Sequence, residues 1–516
     1  AKPDDKGYFH PKAVPSVKDA WISAMGDLNN CSQQGLSERF DSTVGAGTVL
    51  MPFGGKYQKT PADGMAAKFP VRRGETDSAS FMAHGFDPDL ATWSPFHGAV
   101  YAVLLSVTRL VAMGADWRKA YLTLQEYFEK LTDKTSWGKP AAALLGAFHM
   151  QEALGLGAIG GKDSMSGTFN DIHVPPTLVS FAIAPGKASE AVSQELKKEG
   201  DVLVLFGMPK DKEGMPDLDV FKKHADFLYQ EVKAGHVAAM KAVDHGGVAV
   251  TAAKMAFGNG LGIRFTENLP LPKFFGNFYG AIIVETTPEE AERFAKEPHT
   301  KILGTVGGKT MEAYGETISL SDLLAAYEKP LDSIFPRRAA SIEKPAPLLP
   351  EVSAIPQFYV HTNLPRPRVF IPTMPGNNCE VDSARAFERA GAVSDIFIFR
   401  NRDSAELKAS VEEMAERISH AQIVMFPGGF SAGDEPDGSG KFIAAVFRND
   451  MLKEAMDKLL HERDGLALGI CNGFQALIKL GLVPYGEFKP LTSDAPTLTF
   501  NTIGRHLSRF VTTKVV

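Results

Sequence analysis

The chain has 516 residues, room for three or four domains, with 44% hydrophobic and 22% charged residues, the ordinary balance of a globular protein. A net charge of -6 leaves no cationic surplus for nucleic acid or an anionic membrane. Three cysteines at 31, 379 and 471 are too few and too scattered for a disulfide framework or a zinc site, and no apolar run approaches the roughly 20 residues of a membrane span.

The polar start, Ala1-Lys-Pro-Asp-Asp-Lys6, is no signal peptide, so a reducing, cytoplasmic setting is expected. Residues 1–20 read as a tail or the end of a linker. The chain begins without methionine and stops straight after the strand-like Arg509-Phe-Val-Thr-Thr-Lys-Val-Val516, which suggests a piece cut at both ends. Ser16–Met25 reads as a short helix, and Gly45–Phe69 as β-type runs broken by Gly54-Gly55 and Pro61-Ala-Asp-Gly64. Pro95 to Gly114 is a long apolar helix closed by glycine, and a second helix is expected from Pro140 to Leu154. A loop, Gly157–Ser166, then leads to a strand at Pro176–Ala184. Next come a strand at Asp201–Phe206, a helix from about Phe221 to Ala242, the turn Asp244-His-Gly-Gly247 and a helix to Phe257. Ile282–Val284 and Pro288–Phe294 complete an α+β segment. Lys344-Pro-Ala-Pro-Leu-Leu-Pro350 reads as an extended linker. After it, strands and helices alternate from Val369 to Phe426, the signature of a doubly wound parallel sheet. The expected boundaries are 21–190, 191–343, a linker at 344–366, and 367–516.

The chemistry concentrates near the C-terminal end. Val424-Met-Phe426 empties into Pro427-Gly-Gly429, a loop that can expose backbone N–H groups. Leu466–Ile470 is a second apolar run that ends on Cys471 and passes at once into the helical Gln475–Leu480, closed by Gly481. That is a strand–nucleophile–helix turn with cysteine in the nucleophile's place. A sulfur at a helix N-terminus is favoured as thiolate, and N–H groups of Gly429 and Asn472 are candidate donors to an oxyanion. A buried structural cysteine is the alternative. Gly160-Gly161 with Lys162, Asp163 and Ser164 can present N–H groups to phosphate, although a plain tight turn explains the same residues. Cys379 and Cys31 read as packing residues, His461 and His506 as surface or structural, and His84 and His97 as solvated or capping.

Phe426-Pro-Gly-Gly-Phe-Ser-Ala-Gly-Asp434 and Gly469-Ile-Cys-Asn-Gly-Phe-Gln475 resemble class I glutamine amidotransferase domains. Within that class they resemble the glutaminase domain of the phosphoribosylformylglycinamidine synthase family, as does Pro375-Gly-Asn-Asn-Cys-Glu380. Upstream, Arg39-Phe-Asp41 with Val44–Leu50, Gly160–Met165, and Asp244–Gly247 before Met255–Phe257 are similar to an aminoimidazole-ribonucleotide-synthetase-like pair of N and C domains. The resemblance covers the chain from about residue 20 onward. It implies the second synthetase copy of the large, glutamine-dependent form, followed by a truncated glutaminase. The implied activity is a carbon–nitrogen ligase of purine biosynthesis. It would convert formylglycinamide ribonucleotide to formylglycinamidine ribonucleotide, with ammonia from glutamine and with ATP and Mg2+ in the complete enzyme.

The resemblance further implies a partner, the missing N-terminal synthetase copy, and a histidine with an acidic partner from beyond Val516. The chain by itself is therefore expected not to hydrolyse glutamine. In this family the loop at Gly160–Ser164 lies towards the first copy, against nucleotide or ribonucleotide. Two departures stand out. Where the family carries Glu-x-x-x-Asn for magnesium, this chain has Leu105 and Arg109. Where it carries His-Asp-x-Ser-Asp-Gly-Gly, the run is Lys241-Ala-Val-Asp-His-Gly-Gly247. Magnesium wants oxygen ligands, so no metal ligand is assigned and this copy's nucleotide site is expected to be degenerate. Asp41, Asp63, Asp163 and Asp244 remain possible polar contacts. The alternatives are a class I amidotransferase of another pathway, and a non-catalytic scaffold half of a larger synthetase.

Overall fold

The computed structural model describes residues 16–40, 42–43, 47–71, 74–266, 269–338, 366–433 and 440–508. Asp41, residues 44–46, the linker at 344–365, Asp434 and the stretch 509–516 lie outside the described residues. The chain divides into two compact units, Ala1–Ser341 with Arg505–Val511, and Ile342–Gly504 with Thr512–Val516.

In the first unit, α1 (Val17–Met25) starts where the Ser16 side chain accepts from the Asp19 N–H. Strands β1 (Thr48–Leu50), β2 (Gly64–Lys68) and β3 (Ser78–Gly85) follow, then α2 (Pro95–Ala112), β4 (Tyr121–Tyr127), α3 (Lys134–Leu154), β5 (Ala158–Ser164) and β6 (Thr177–Lys187). They build a six-stranded sheet, β1-β2-β3-β6-β4-β5, antiparallel except for β4–β5. Along β3 and β6 every second residue is buried, so one face of the sheet packs on α2. Ser94 caps α2 and Pro95 opens it. Contrary to the expectation that no apolar run approaches a membrane span, α2 is by length and composition the one helix among the described residues that could cross a bilayer; 78% of it is buried inside this unit, as in the core helix of a globular fold.

Two of these elements differ from expectation. Helix α3 starts six residues before Pro140, because Asp133 and Ser136 form a reciprocal capping box. Pro140 then forgoes one backbone bond within the helix. The expected loop at Gly157–Ser166 is mostly the edge strand β5. Glycine allows the strand to close on its neighbour there, since a Cβ on Gly161 would lie 2.4 Å from the Leu124 carbonyl oxygen.

The second sheet uses β7 (Val202–Phe206), α4 (Leu218–Ala234), β8 (Ala239–Ala242), α5 (Gly247–Phe257), β9 (Ile263–Phe265), β10 (Ile282–Thr286), β11 (Thr300–Val306), β12 (Thr310–Ala313) and β13 (Glu316–Ser319). Its order is β8-β10-β7-β11-β9-β12-β13. The helix expected to reach Ala242 stops at Ala234, where Gly235 adopts φ +78°, and Ala239–Ala242 is a strand instead. One hydrophobic core runs through both sheets, from Trp21 and Val103 to Phe206 and Leu323, so the segments either side of residue 190 cohere.

The second unit is a parallel sheet, β15-β14-β16-β17, of β14 (Arg368–Thr373), β15 (Val393–Ile398), β16 (Ile423–Phe426) and β17 (Leu466–Gly469). Val369, Ile371 and Met425 belong to one core cluster, and Phe370, Val424 and Phe426 to another. Alternate residues thus enter separate layers on the two faces, which is the doubly wound arrangement. Helices α6 (Glu380–Arg389), α7 (Ser404–His420) and α8 (Asn472–Leu480) are among those that flank it.

Candidate functional site: a cysteine elbow and its glycine loop

The parallel sheet brings the two apolar runs of the sequence side by side. β16 pairs with β17 from Ile423↔Leu466 to Phe426↔Gly469, and the Ile470 N–H extends the ladder to the Phe426 carbonyl at 3.1 Å. The chain then turns sharply at Cys471, whose φ of 51° and ψ of -109° lie outside the regions comfortable for an L-residue. Helix α8 begins at the next residue. The turn is possible because both flanking glycines are squeezed: a Cβ on Gly473 would sit 2.1 Å from the Phe426 carbonyl oxygen, and one on Gly469 2.7 Å from Gly473. Cys471 is exposed, and its side chain forms no cap bond with its own helix.

The Pro427-Gly428-Gly429 loop leaves the neighbouring strand against this turn. A Cβ on Gly428 would touch the Cys471 Cβ at 3.4 Å, which places the loop directly beside the sulfur-bearing residue. Gly429 takes φ +125° and is held by a bridge to Asn377, with Phe430 N–H donating to the Gly376 carbonyl at 2.8 Å. Any side chain at 429 would strike Asn377 Cα at 2.8 Å, so only glycine fits. Asn377 Nδ2 donates to the Gly428 carbonyl at 3.3 Å, and its Oδ1 accepts from the Met374 N–H at 2.8 Å. The buried Asn472 receives the Ser431 N–H on its Oδ1 at 3.3 Å, tying loop to elbow. Among the described residues, the N–H groups of Gly429 and Asn472 donate to no protein acceptor.

The loop that follows β14 also enters this site, which the sequence reading does not anticipate. Cys379, expected as a packing residue, is half-buried, and its Sγ lies 3.4 Å from the same Cβ position on Gly428. Burial first, and then Cys471 beside it, push the Cys379 thiol above its ordinary range. Asn377 is the other missed residue. No short-range pattern links residues 377–379 to 428; only the parallel sheet does. Cys31 is buried in the first unit, and His461 and His506 are exposed.

The residues of the Gly160–Ser164 run are brought to an open sheet edge rather than to a cradle. Gly160 to Asp163 are exposed along β5, and Ser164 Oγ lies 2.8 Å from Ser166 Oγ. Asp163 pairs across the ladder with the buried Glu126, whose carboxyl is pushed up by burial and then by Asp163.

A third cluster lies where the two sheets of the first unit meet. Arg109, on the last turn of α2, donates to Asp244 Oδ2 at 2.9 Å and to the His84 carbonyl at 2.8 Å. The Arg109 charge first, and then desolvation by the surrounding protein although His84 is itself exposed on β3, hold the imidazole down at about 4. Burial opposes the Asp244 charge, yet Lys254, Arg109 and Lys241 hold its carboxyl at about 2. Lys241 in turn donates to Asp63, which also accepts the Ala242 N–H at 2.7 Å; the pair is all but sealed, with side chains 3% and 1% exposed. His97, expected as solvated or capping, bridges the Ser94 hydroxyl and the Glu213 carbonyl. This junction does not fit a magnesium ion. Leu105 is buried apolar packing, and the carboxylates of this cluster are already paired, Asp244 with the Arg109 guanidinium and Asp63 with the Lys241 ammonium. Among the described residues one acidic–histidine cluster has ligand spacing, Glu231, His236 and Glu290, and Arg293 already occupies it by salt bridges to both carboxylates.

Known proteins resemble the two parts of the chain separately. Subunit PurQ of phosphoribosylformylglycinamidine synthase from Dehalococcoides mccartyi is 40% identical over 136 residues, 26% of this chain and 48% of that protein. Subunit PurL of the same synthase from Parvibaculum lavamentivorans is 25% identical over 360 residues, 62% of this chain and 46% of that protein. The chain thus spans about half the length of each. The solved PurLQS structure from Thermotoga maritima aligns with a TM-score of 0.47 at 15% identity, over 66% of this chain and 56% of that one. The segment that bears the elbow, residues 366–516, matches the family of CobB/CobQ-like glutamine amidotransferase domains.

Proposed function

We propose that this chain is the glutamine-using part, joined to a synthetase-like half, of a phosphoribosylformylglycinamidine synthase in purine biosynthesis. The observation that carries the reading is the exposed Cys471 on a strained strand-to-helix turn, with two undonated backbone N–H groups beside it. The matched amidotransferase family over 366–516 and the PurQ and PurL names of the relatives support it.

In this reading, in the complete enzyme, the Cys471 sulfur attacks the carboxamide carbon of glutamine. The carbonyl oxygen becomes an oxyanion, accepted by the N–H groups of Gly429 and Asn472. The C–N bond breaks, the thiol proton leaves with the amine as ammonia, and a thioester remains on Cys471. Water then releases glutamate and restores the thiol. The strained turn holds the sulfur out of the sheet, and the squeezed Gly469 and Gly473 keep its angle fixed. Ammonia would amidate formylglycinamide ribonucleotide at an ATP site that the junction around Arg109 does not supply. The first unit would then serve that site as a partner to the other synthetase copy, with the Gly160–Ser164 edge facing substrate or nucleotide.

The test is to treat the reduced chain with 6-diazo-5-oxonorleucine, a glutamine-mimicking electrophile, and map the adduct by mass spectrometry. The adduct is expected on Cys471 and absent in Cys471→Ala. An adduct on Cys31 or Cys379 instead would overturn the assignment.

A further inference from the structure

Two of the three thiols of this protein meet at a single glycine. The Cβ position of Gly428 lies 3.4 Å from Cys379 Sγ and 3.4 Å from Cys471 Cβ. The two cysteines come from loops that the sheet fixes independently. Cys379 follows β14, where the Asn377–Gly429 bridge and the Asn378 N–H on the Gly428 carbonyl anchor it. Cys471 follows β17. Cys379 Sγ has one weak partner, Asn378 Oδ1 at 3.3 Å, and is free to rotate away from it. Two legs of 3.4 Å meeting at one atom position keep Cys379 Sγ within about 7 Å of Cys471 Cβ, so the disulfide, which needs Cβ atoms about 3.5–4.5 Å apart, closes by side-chain rotation together with a small approach of the two loops. A side chain at 428 would stand between them, and glycine leaves the gap open.

We infer that Cys379 is the resolving thiol of Cys471, so that peroxide converts the pair reversibly to a disulfide instead of destroying the nucleophile. The Cys471 sulfur attacks one oxygen of hydrogen peroxide, the O–O bond breaks, and hydroxide leaves. The sulfur, now a sulfenic acid, has lost two electrons. The Cys379 sulfur then attacks it, the S–S bond forms, and the displaced hydroxide departs as water with the Cys379 thiol proton. In sum, two thiols and one peroxide give one disulfide and two waters. A dithiol reductant then exchanges with the disulfide, returning both cysteines to thiols while its own two sulfurs join in a disulfide. The raised pKa of Cys379 fits this order of events, since it keeps that sulfur protonated while the exposed Cys471 meets the oxidant first.

The inference rests on Cys471 being the reactive thiol of the proposed function. The test takes the purified chain, adds hydrogen peroxide, and maps peptides without reduction. The expected result is a Cys379–Cys471 cross-linked peptide, with free thiols falling from three to one and returning with dithiothreitol. In Cys379→Ala, Cys471 should pass to the sulfinic acid, which dithiothreitol does not reverse. A wild-type chain that forms sulfinic acid at Cys471 as fast as the variant, links Cys31 instead, or keeps Cys471 reduced overturns the pairing. Labelling by the glutamine-mimicking electrophile separates the two ideas. A Cys471 that takes the label but forms no disulfide defeats only the pairing, while a Cys471 that takes neither defeats the nucleophile as well.

Discussion

Replacing Lys241 by methionine should cost the first unit about 3–5 kcal/mol, because it leaves a buried carboxylate without its counter-charge. Lys241 and Asp63 join β8 to the loop before β2, with side chains only 3% and 1% exposed, so solvent cannot take over the lost role. Lys241 Nζ donates both to Asp63 and to the Pro61 carbonyl at 3.0 Å. With it gone, Asp63 keeps just the Ala242 N–H on Oδ2. Adding Asp63→Asn removes the stranded charge while leaving an acceptor for that N–H. The double variant should then lie within about 1–2 kcal/mol of wild type, well short of the sum of the two single changes. Urea unfolding followed by tryptophan fluorescence is the suitable assay, since all four tryptophans, at 21, 93, 117 and 137, belong to the first unit. A Lys241→Met cost below about 1 kcal/mol, or two single changes that simply add, would refute the reasoning.

Glu285 is wholly buried in β10, and burial raises its carboxyl to about 7 although the Lys197 and Lys198 N–H groups favour its charge. A raised acid holds its proton longer when folded, so its stabilising effect is full below about pH 4 and fades as pH rises to 7, by about 3 kcal/mol. Glu285→Gln should flatten the stability–pH curve across that window, and an unchanged slope would count against it. Arg109→Leu should destabilise the first unit by about 2–3 kcal/mol, less than a sealed pair because Asp244 keeps Lys254 nearby. In the same variant the His84 imidazole should titrate by NMR clearly above about 4; no movement would show that Arg109 is not its main perturber. Gly473→Ala must push the elbow off the Phe426 carbonyl, with an expected cost of about 1–3 kcal/mol in the second unit and slower alkylation of Cys471. Unaltered alkylation kinetics would separate the packing of that glycine from the poise of the sulfur.

The elbow was legible because its information is local: an apolar run, a small residue, cysteine and a helical pattern sit within about a dozen positions, and the Pro427-Gly-Gly429 loop carries its own signal. The doubly wound sheet was legible for the same reason, from alternating periods along the chain. What escaped depends on distance along the sequence. Arg109 and Asp244 are 135 residues apart, Lys241 and Asp63 178, and nothing in their immediate neighbours marks them as partners. Cys379 looked like filling because its proximity to Gly428 exists only once β14 and β16 pair. The Gly160-Gly161 stretch was misread as a loop because glycine signals a turn in isolation, whereas here it lets an edge strand approach the Leu124 carbonyl.

The left-handed twist of the main chain at residue 471 has a longer consequence. Such a conformation costs an ordinary residue on the order of 1–3 kcal/mol and costs glycine almost nothing. Thermal robustness and reactivity therefore pull this position in opposite directions, and a lineage selected for heat tolerance alone would find its easiest gain by discarding the sulfur.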